Sequence, residues 1–120
     1  RKCLPLPVGG AFHSGLMEPA RSGLLDVIDS LDWHHPAVPV IANCDARSIT
    51  TAAEIKEELG MQIMSCVRWS DSIRFMLGNG VRDFVEVGQG KVLAGMMRRI
   101  DREANMSNIS DMESVVALAS

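Results

Sequence analysis

The sequence predicts an α/β domain built on a mainly parallel sheet. Two observations carry that prediction. Stretches of helical periodicity alternate with short apolar runs, and the later runs lead through polar or glycine-rich turns into helices. A third observation is size, because 120 residues with a 47% hydrophobic fraction suffice for one domain with a real core.

Residues 3–8 read as a short strand that Pro5 and Pro7 confine to a sheet edge or end. Beyond it, Met17, Ala20, Leu24, Val27, Ile28 and Leu31 recur at helical spacing, with Glu18, Arg21, Ser22, Asp26 and Asp29 on the other face. Pro19 fits only a first turn, which puts the helix start near Met17. Trp33-His34-His35-Pro36 ends the pattern. Val38 to Ala42 reads as a strand running into Asn43 and a polar loop. Thr51 with Glu54 three residues on forms a capping box that opens a helix to about Ser65. Another helix opens at Trp69 or Ser70, runs toward Leu77 and stops at Gly78-Asn79-Gly80. Val81 to Val87 is the second core strand. Gly88-Gln89-Gly90 then turns into a helix from about Lys91 to Arg102, and Asn108 to Leu118 supplies a short extended piece and a final helix.

Composition excludes several function classes. A net charge of −3 is too mild for nucleic acid or an anionic membrane, and two Trp, three Phe and no Tyr make a poor base-stacking surface. Cys3, Cys44 and Cys66 are odd in number and far apart, which argues against a disulfide framework or a zinc knuckle and for a reducing compartment. No run approaches a membrane span and no signal peptide is visible. The chain opens at Arg1 rather than Met, in what reads as mid-strand, so a piece of a longer protein is expected.

Among candidate site residues His13 stands first. It follows an apolar run and small residues (Leu6-Pro7-Val8-Gly9-Gly10-Ala11-Phe12) and precedes a helix, the position at which α/β enzymes place reacting groups. Histidine is the side chain suited to moving a proton near neutral pH. The plainer reading is a loop histidine satisfied by hydrogen bonds. A general base also needs something to activate, and the chain has no Gly-x-Ser-x-Gly elbow; Ser14, Ser65, Ser70 and Ser72 lack that setting.

Gln62 falls on the helix that Thr51 opens, where a glutamine is ordinarily solvated. Gly88-Gln89-Gly90-Lys91 imitates a phosphate loop but has Val92 where the hydroxyl belongs, so a tight strand-to-helix turn is the better reading. At about 100° per residue, Lys91, Arg98 and Arg102 share one face of the predicted helix, with Arg99 beside it. Such a stripe is either a solvated face favoured by the helix dipole or a docking surface for an acidic partner. His34 and His35, without a third ligand type nearby, read as surface residues.

Several blocks, in order, resemble the malonyl-CoA:acyl-carrier-protein transacylase family over nearly the whole chain. They are Leu6-Pro7-Val8, Gly10-Ala11-Phe12-His13-Ser14, Leu16-Met17-Glu18-Pro19-Ala20, Pro39-Val40-Ile41-Ala42-Asn43, Leu59-x-x-Gln62, Val67-Arg68-Trp69 and Glu86-Val87-Gly88-x-Gly90-Lys91-Val92-Leu93. The resemblance implies the C-terminal part of an α/β-hydrolase-like core (residues 10–120), preceded by the last strand of a ferredoxin-like small subdomain (residues 1–9). It implies malonyl transfer from malonyl-CoA to the phosphopantetheine thiol of acyl carrier protein, in fatty-acid synthesis, through an acyl-serine and without a cofactor. His13 matches the family's catalytic histidine, and Gln62 the glutamine whose backbone carbonyl orients it. The nucleophilic serine, the oxyanion glutamine and the arginine for the malonyl carboxylate would all precede Arg1, so this chain by itself is expected to transfer nothing.

The Ala-Phe-His form resembles the version linked to malonyl rather than methylmalonyl. Gln89 stands where the family usually has proline, and Gly9 where serine is common. Acyl carrier protein and malonyl-CoA are the implied partners, with no nucleic acid or membrane, a monomeric full-length enzyme, and a bacterial cytoplasm, plastid or mitochondrion as the compartment. Two rivals stay open: a non-catalytic module that binds acyl carrier protein, and the acyltransferase domain of a polyketide or other modular synthase.

Overall fold

A computed structural model describes residues 9–118. The strand predicted over residues 3–8, the subdomain boundary near residue 9 on its N-terminal side, and Cys3 lie outside or at the edge of the described residues. Contacts divide the chain after Ser72 into two compact units.

In the first unit Ser14 opens the helical segment: its Oγ accepts the Leu16 amide and starts a 3-10 turn, Gly15–Met17. Helix α1 (Glu18–Ser30) follows, with Pro19 in its first turn as its fixed φ requires. Of its predicted apolar face Ile28 is buried and Leu24 half-buried, whereas Val27 and Leu31 stay exposed.

The predicted strand after Pro36 shortens to β1 (Val40–Ile41), which pairs antiparallel with β2 (Ser48–Ile49). β2 falls within the stretch that the sequence predicts as a polar loop. Its local pattern is short and half polar, and it forms because Ala46 turns the chain through a left-handed φ of 60° and Ala42 N–H reaches Arg47 O at 2.9 Å. Ile49 and Ala42 are then fully buried.

Helix α2 (Ala52–Gln62) carries the predicted capping box, with Thr51 Oγ1 accepting the Glu54 amide and the Glu54 carboxylate accepting the Thr51 amide. Bonds from the Thr50 amide, the Thr51 hydroxyl and Arg47 hold the Glu54 carboxyl down at about 2. Glu58, buried on the same helix, accepts the amides of Asn43 (2.6 Å) and Cys44 (3.0 Å), tying α2 to the loop after β1. The helix ends at Gln62 rather than Ser65, because Met64 and Ser65 fold their amides back onto Met61 and Gln62 in a turn.

Helix α3 (Trp69–Gly78) spans the division between the units, and Gly80 past its end takes φ 88°, as the Gly78-Asn79-Gly80 stop predicts. In the second unit β3 (Asp83–Val87) pairs in parallel with β4 (Asn105–Ile109), in register from Asp83↔Asn105 to Val87↔Ile109. Helix α4 (Val92–Met97) joins them and α5 (Met112–Leu118) follows.

The fold is therefore mixed α/β, with parallel pairing in the second unit and antiparallel pairing in the first. The predicted helix from Lys91 to Arg102 is cut to six residues. Asp101 Oδ1 accepts the Glu103 and Ala104 amides at 2.7 and 3.1 Å, a turn that redirects the chain into β4 earlier than the predicted extended piece at Asn108.

Candidate functional site

The site forms where the segment before α1 meets the C-terminal end of α2. Glycine at position 10 lets the chain fold tightly there, since a Cβ would come within 2.8 Å of the Phe12 ring. Ser14 closes the turn by donating its hydroxyl to Ala11 O at 2.6 Å, so this serine is spent on structure. Between them His13 adopts φ 62°, a left-handed conformation that a non-glycine residue holds only when its surroundings enforce it.

The enforcing contacts come from α2. The last carbonyls of a helix have no partner within it. His13 uses them twice: its backbone N–H donates to Ile63 O at 3.0 Å, and its ring Nδ1 lies 2.9 Å from Gln62 O. A carbonyl can only accept, so Nδ1 carries the ring proton and Nε2 presents the lone pair. Leu24, Leu59, Gln62 and Ile63 join His13 in lining a recess of about 210 Å³, open to solvent and mostly apolar.

The structure thus brings together two of the residues singled out in the sequence, His13 and Gln62, although they stand 49 positions apart. It is the Gln62 backbone and not its amide side chain that makes the contact. Periodicity misses a neighbour of this site: Arg21, assigned only to the polar face of its helix, donates Nε–H to Gly60 O at 2.8 Å. Its acceptor is a backbone atom, which no side-chain motif marks.

The other candidates lie elsewhere. Lys91 is the N-cap of α4, Arg98 its C-cap, and Arg102 falls in the bend beyond. All three are exposed, but the continuous basic helix face predicted for them does not form, because the helix stops at Met97. In the Gly88-Gln89-Gly90 turn both glycines take positive φ, 139° and 91°, and Asn108 Nδ2 reaches the carbonyls of Glu86, Gly88 and Gly90. The buried Glu86 carboxylate accepts the Leu93 and Ala94 amides, each at 3.0 Å. His34 is exposed beside Asp32, and His35 Nδ1 accepts the Ala52 amide. Among the described residues no three His, Cys, Asp or Glu side chains gather to hold a metal ion, and no helix is long and apolar enough to cross a membrane. Cys44 and Cys66 are free thiols, and burial pushes the Cys44 thiol up from its ordinary value.

Fold and site together define a mixed α/β protein with an exposed histidine whose Nδ1 is held by a backbone carbonyl at the end of a helix. Among curated proteins, the chain is 41% identical over 115 residues to the malonyl CoA-acyl carrier protein transacylase of Bacillus subtilis, covering 96% of this chain and 36% of that protein. The Staphylococcus aureus protein of the same name is 32% identical, again over 96% of this chain and 37% of its own length. The crystal structure of an acyl carrier protein S-malonyltransferase from Vibrio cholerae matches 98% of the chain with a TM-score of 0.90 at 36% identity, over 39% of that protein. A malonyl-transacylase solved in complex with its type II polyketide acyl-carrier protein matches 95% of the chain with a TM-score of 0.87 at 32% identity, over 37% of its length. No family model matches the chain. Over nearly its whole length the chain is similar to the C-terminal portion of malonyl-CoA:acyl-carrier-protein transacylases. It spans little more than a third of the length of the curated relatives it matches.

Proposed function

We propose that the protein containing this chain transfers a malonyl group from malonyl-CoA to the phosphopantetheine thiol of acyl carrier protein, with His13 as its general acid and base. The observation that carries this reading is the 2.9 Å contact between His13 Nδ1 and Gln62 O, which leaves Nε2 as the basic nitrogen. In the first half-reaction Nε2 takes the proton of a serine hydroxyl supplied by the rest of the protein, and the serine oxygen attacks the thioester carbonyl. The tetrahedral intermediate collapses by breaking the C–S bond, and the departing coenzyme A sulfur receives the proton from Nε2. The carrier thiol then gives its proton to Nε2 and attacks the acyl-serine, and the serine oxygen leaves with that proton. At each step the imidazolium is stabilised by the Gln62 carbonyl.

The finer fold is part of the same proposal: residues 1–9 end a ferredoxin-like small subdomain and residues 10–120 complete an α/β-hydrolase-like large one. No cofactor enters, since the acyl group moves between two thiols through one hydroxyl. Exposed Lys91, Arg98 and Arg102 are proposed to meet the acidic carrier protein, as separate contacts rather than one helix face. A monomer working in a reducing compartment, the bacterial cytoplasm foremost, fits the bacterial relatives and the free thiols of Cys44 and Cys66.

The test is the intact mass of the protein purified from its natural source, before and after brief exposure to malonyl-CoA. A mass well above 13.1 kDa that gains one malonyl group, and loses it to acyl carrier protein, is the expected result. A protein that gains nothing yet binds acyl carrier protein would be the non-catalytic module instead.

A further inference from the structure

We infer that Arg21 is a positioning residue for His13, acting through the C-terminal turn of α2; the functional part of this inference rests on the reading of His13 as acid and base. The last turn of α2 has carbonyls without helical partners, and each one left unpaired in a half-buried setting favours fraying of that turn. Three of these carbonyls meet the segment that contains His13 and α1, Gln62 O in addition to the Ser65 amide it accepts at 3.3 Å. Gln62 O meets His13 Nδ1 at 2.9 Å, Ile63 O meets His13 N–H at 3.0 Å, and Gly60 O accepts Arg21 Nε–H at 2.8 Å.

The two histidine contacts fix the imidazole only as well as the carbonyls themselves are fixed. Arg21 holds the same turn from outside the site, at Gly60 O, two residues before the carbonyl that meets the ring. It lies in the second turn of α1, so the segment that presents the ring leads through the 3-10 turn into the helix that clamps the turn holding its acceptor.

Packing supports this arrangement. Gly60 is buried, and a Cβ built on it would lie 3.0 Å from Leu25 Cδ2, so α1 and α2 pack closely there and a side chain would press on that leucine. That approach brings the Gly60 carbonyl within reach of Arg21. A charged donor makes the stronger kind of hydrogen bond, and an arginine side chain about one-third exposed keeps much of its charge in water while Nε reaches inward. Arg21 also makes a loose ion pair with exposed Glu18 at 3.8 Å, a pair of little energetic weight.

The experiment uses the full-length protein that contains this chain, as wild type and as Arg21→Met, Arg21→Lys and Glu18→Gln. Met keeps length and apolar stem but has no donor; Lys restores a charged donor; Glu18→Gln removes the ion pair and leaves the bond to Gly60. Misplacing a reacting group by about 1 Å costs on the order of a hundredfold in rate, and a loosened carbonyl shifts the ring by a fraction of that, so Arg21→Met is expected to lower kcat roughly tenfold. The KM for malonyl-CoA stays at the wild-type value, Arg21→Lys recovers most of the turnover, and Glu18→Gln matches wild type.

Nitrogen-15 spectra of histidine-labelled protein read the positioning directly. Wild type shows His13 locked with its proton on Nδ1, and Arg21→Met shows a mixture of tautomers. A kcat for Arg21→Met within about twofold of wild type, a change in KM alone, or an unaltered tautomer spectrum would each overturn the inference. Wild-type protein that transfers no malonyl group defeats the transacylase reading instead, and the tautomer spectra then decide the positioning role alone. If Arg21→Met fails to fold, Arg21→Lys with unchanged turnover against a tenfold drop for Arg21→Leu, which has no donor, is the supporting outcome, and equal turnover of the two overturns it.

Discussion

The two units of the molecule each fasten a titratable side chain to the end of a helix, and they choose opposite ends. In the first, His13 meets the carbonyls that finish α2; in the second, Glu86 meets the amides that begin α4. Each choice follows the helix dipole, which favours positive charge at a C-terminus and negative charge at an N-terminus. The difference lies in what remains. Glu86 is 9% exposed and both of its oxygens are engaged, so its chemistry is exhausted by holding α4 on β3. His13 is exposed and commits one ring nitrogen, which leaves the other for a proton. A helix end can thus serve stability or reactivity, and the count of engaged atoms separates the two.

The sharpest separation comes from His13→Ala in the full-length protein. Malonyl transfer is expected to fall by about a thousandfold, within the range of a lost general base, with the thermal midpoint little moved. Steady-state kinetics beside a melting curve measures both, and turnover near the wild-type rate would reassign the histidine. Glu86→Ala should show the converse. It strands the Leu93 and Ala94 amides and costs about 2 kcal/mol of stability by urea titration, while Glu86→Gln, which keeps one acceptor, costs less. Equal stability of Glu86→Ala and wild type would mean that water replaces the carboxylate without loss.

A third helix end extends the comparison to pH. Glu54 at the start of α2 has its carboxyl lowered from 4.5 to about 2 by the Thr50 amide, the Thr51 hydroxyl and Arg47. A folded-state value below the unfolded one stabilises the protein above pH 4.5, and that contribution is lost as pH falls from 4.5 toward 2. Glu54→Gln should therefore flatten the acid limb of the stability profile within that interval and leave the limb above it parallel to wild type. An unchanged slope in the interval would show that the box is already open in solution. The smallest effect belongs to Gln62→Ala. Because the backbone carbonyl holds His13, removing the side chain should leave kcat within about twofold of wild type. A loss approaching that of His13→Ala would place the amide side chain, not the carbonyl, at the centre of the site.

The elements that were legible in advance share a physical trait. The capping box of Thr51 and Glu54, the helix start that Pro19 places near Met17, and the stops and turns at Gly78-Asn79-Gly80 and Gly88-Gln89-Gly90 each involve partners or dihedrals within a few residues. The elements that were misread do not. β2 depends on a chain reversal at Ala46, and the early end of α4 on the Asp101 turn toward β4. The basic residues illustrate the cost of the second error, since Lys91, Arg98 and Arg102 share a face only if the helix continues past Met97.

The candidate site divides the same way. That a histidine follows small residues ahead of a helix, and that its neighbourhood resembles one family of acyltransferases, is written in residue types and their order. That His13 takes a left-handed φ, that its Nδ1 rather than Nε2 carries the proton, and that Arg21 reaches Gly60 follow from where α2 ends in space. The reason is the nature of the acceptors. A side chain announces itself in the sequence, but every residue carries the same carbonyl, and only the folded chain shows which carbonyl is left without a partner.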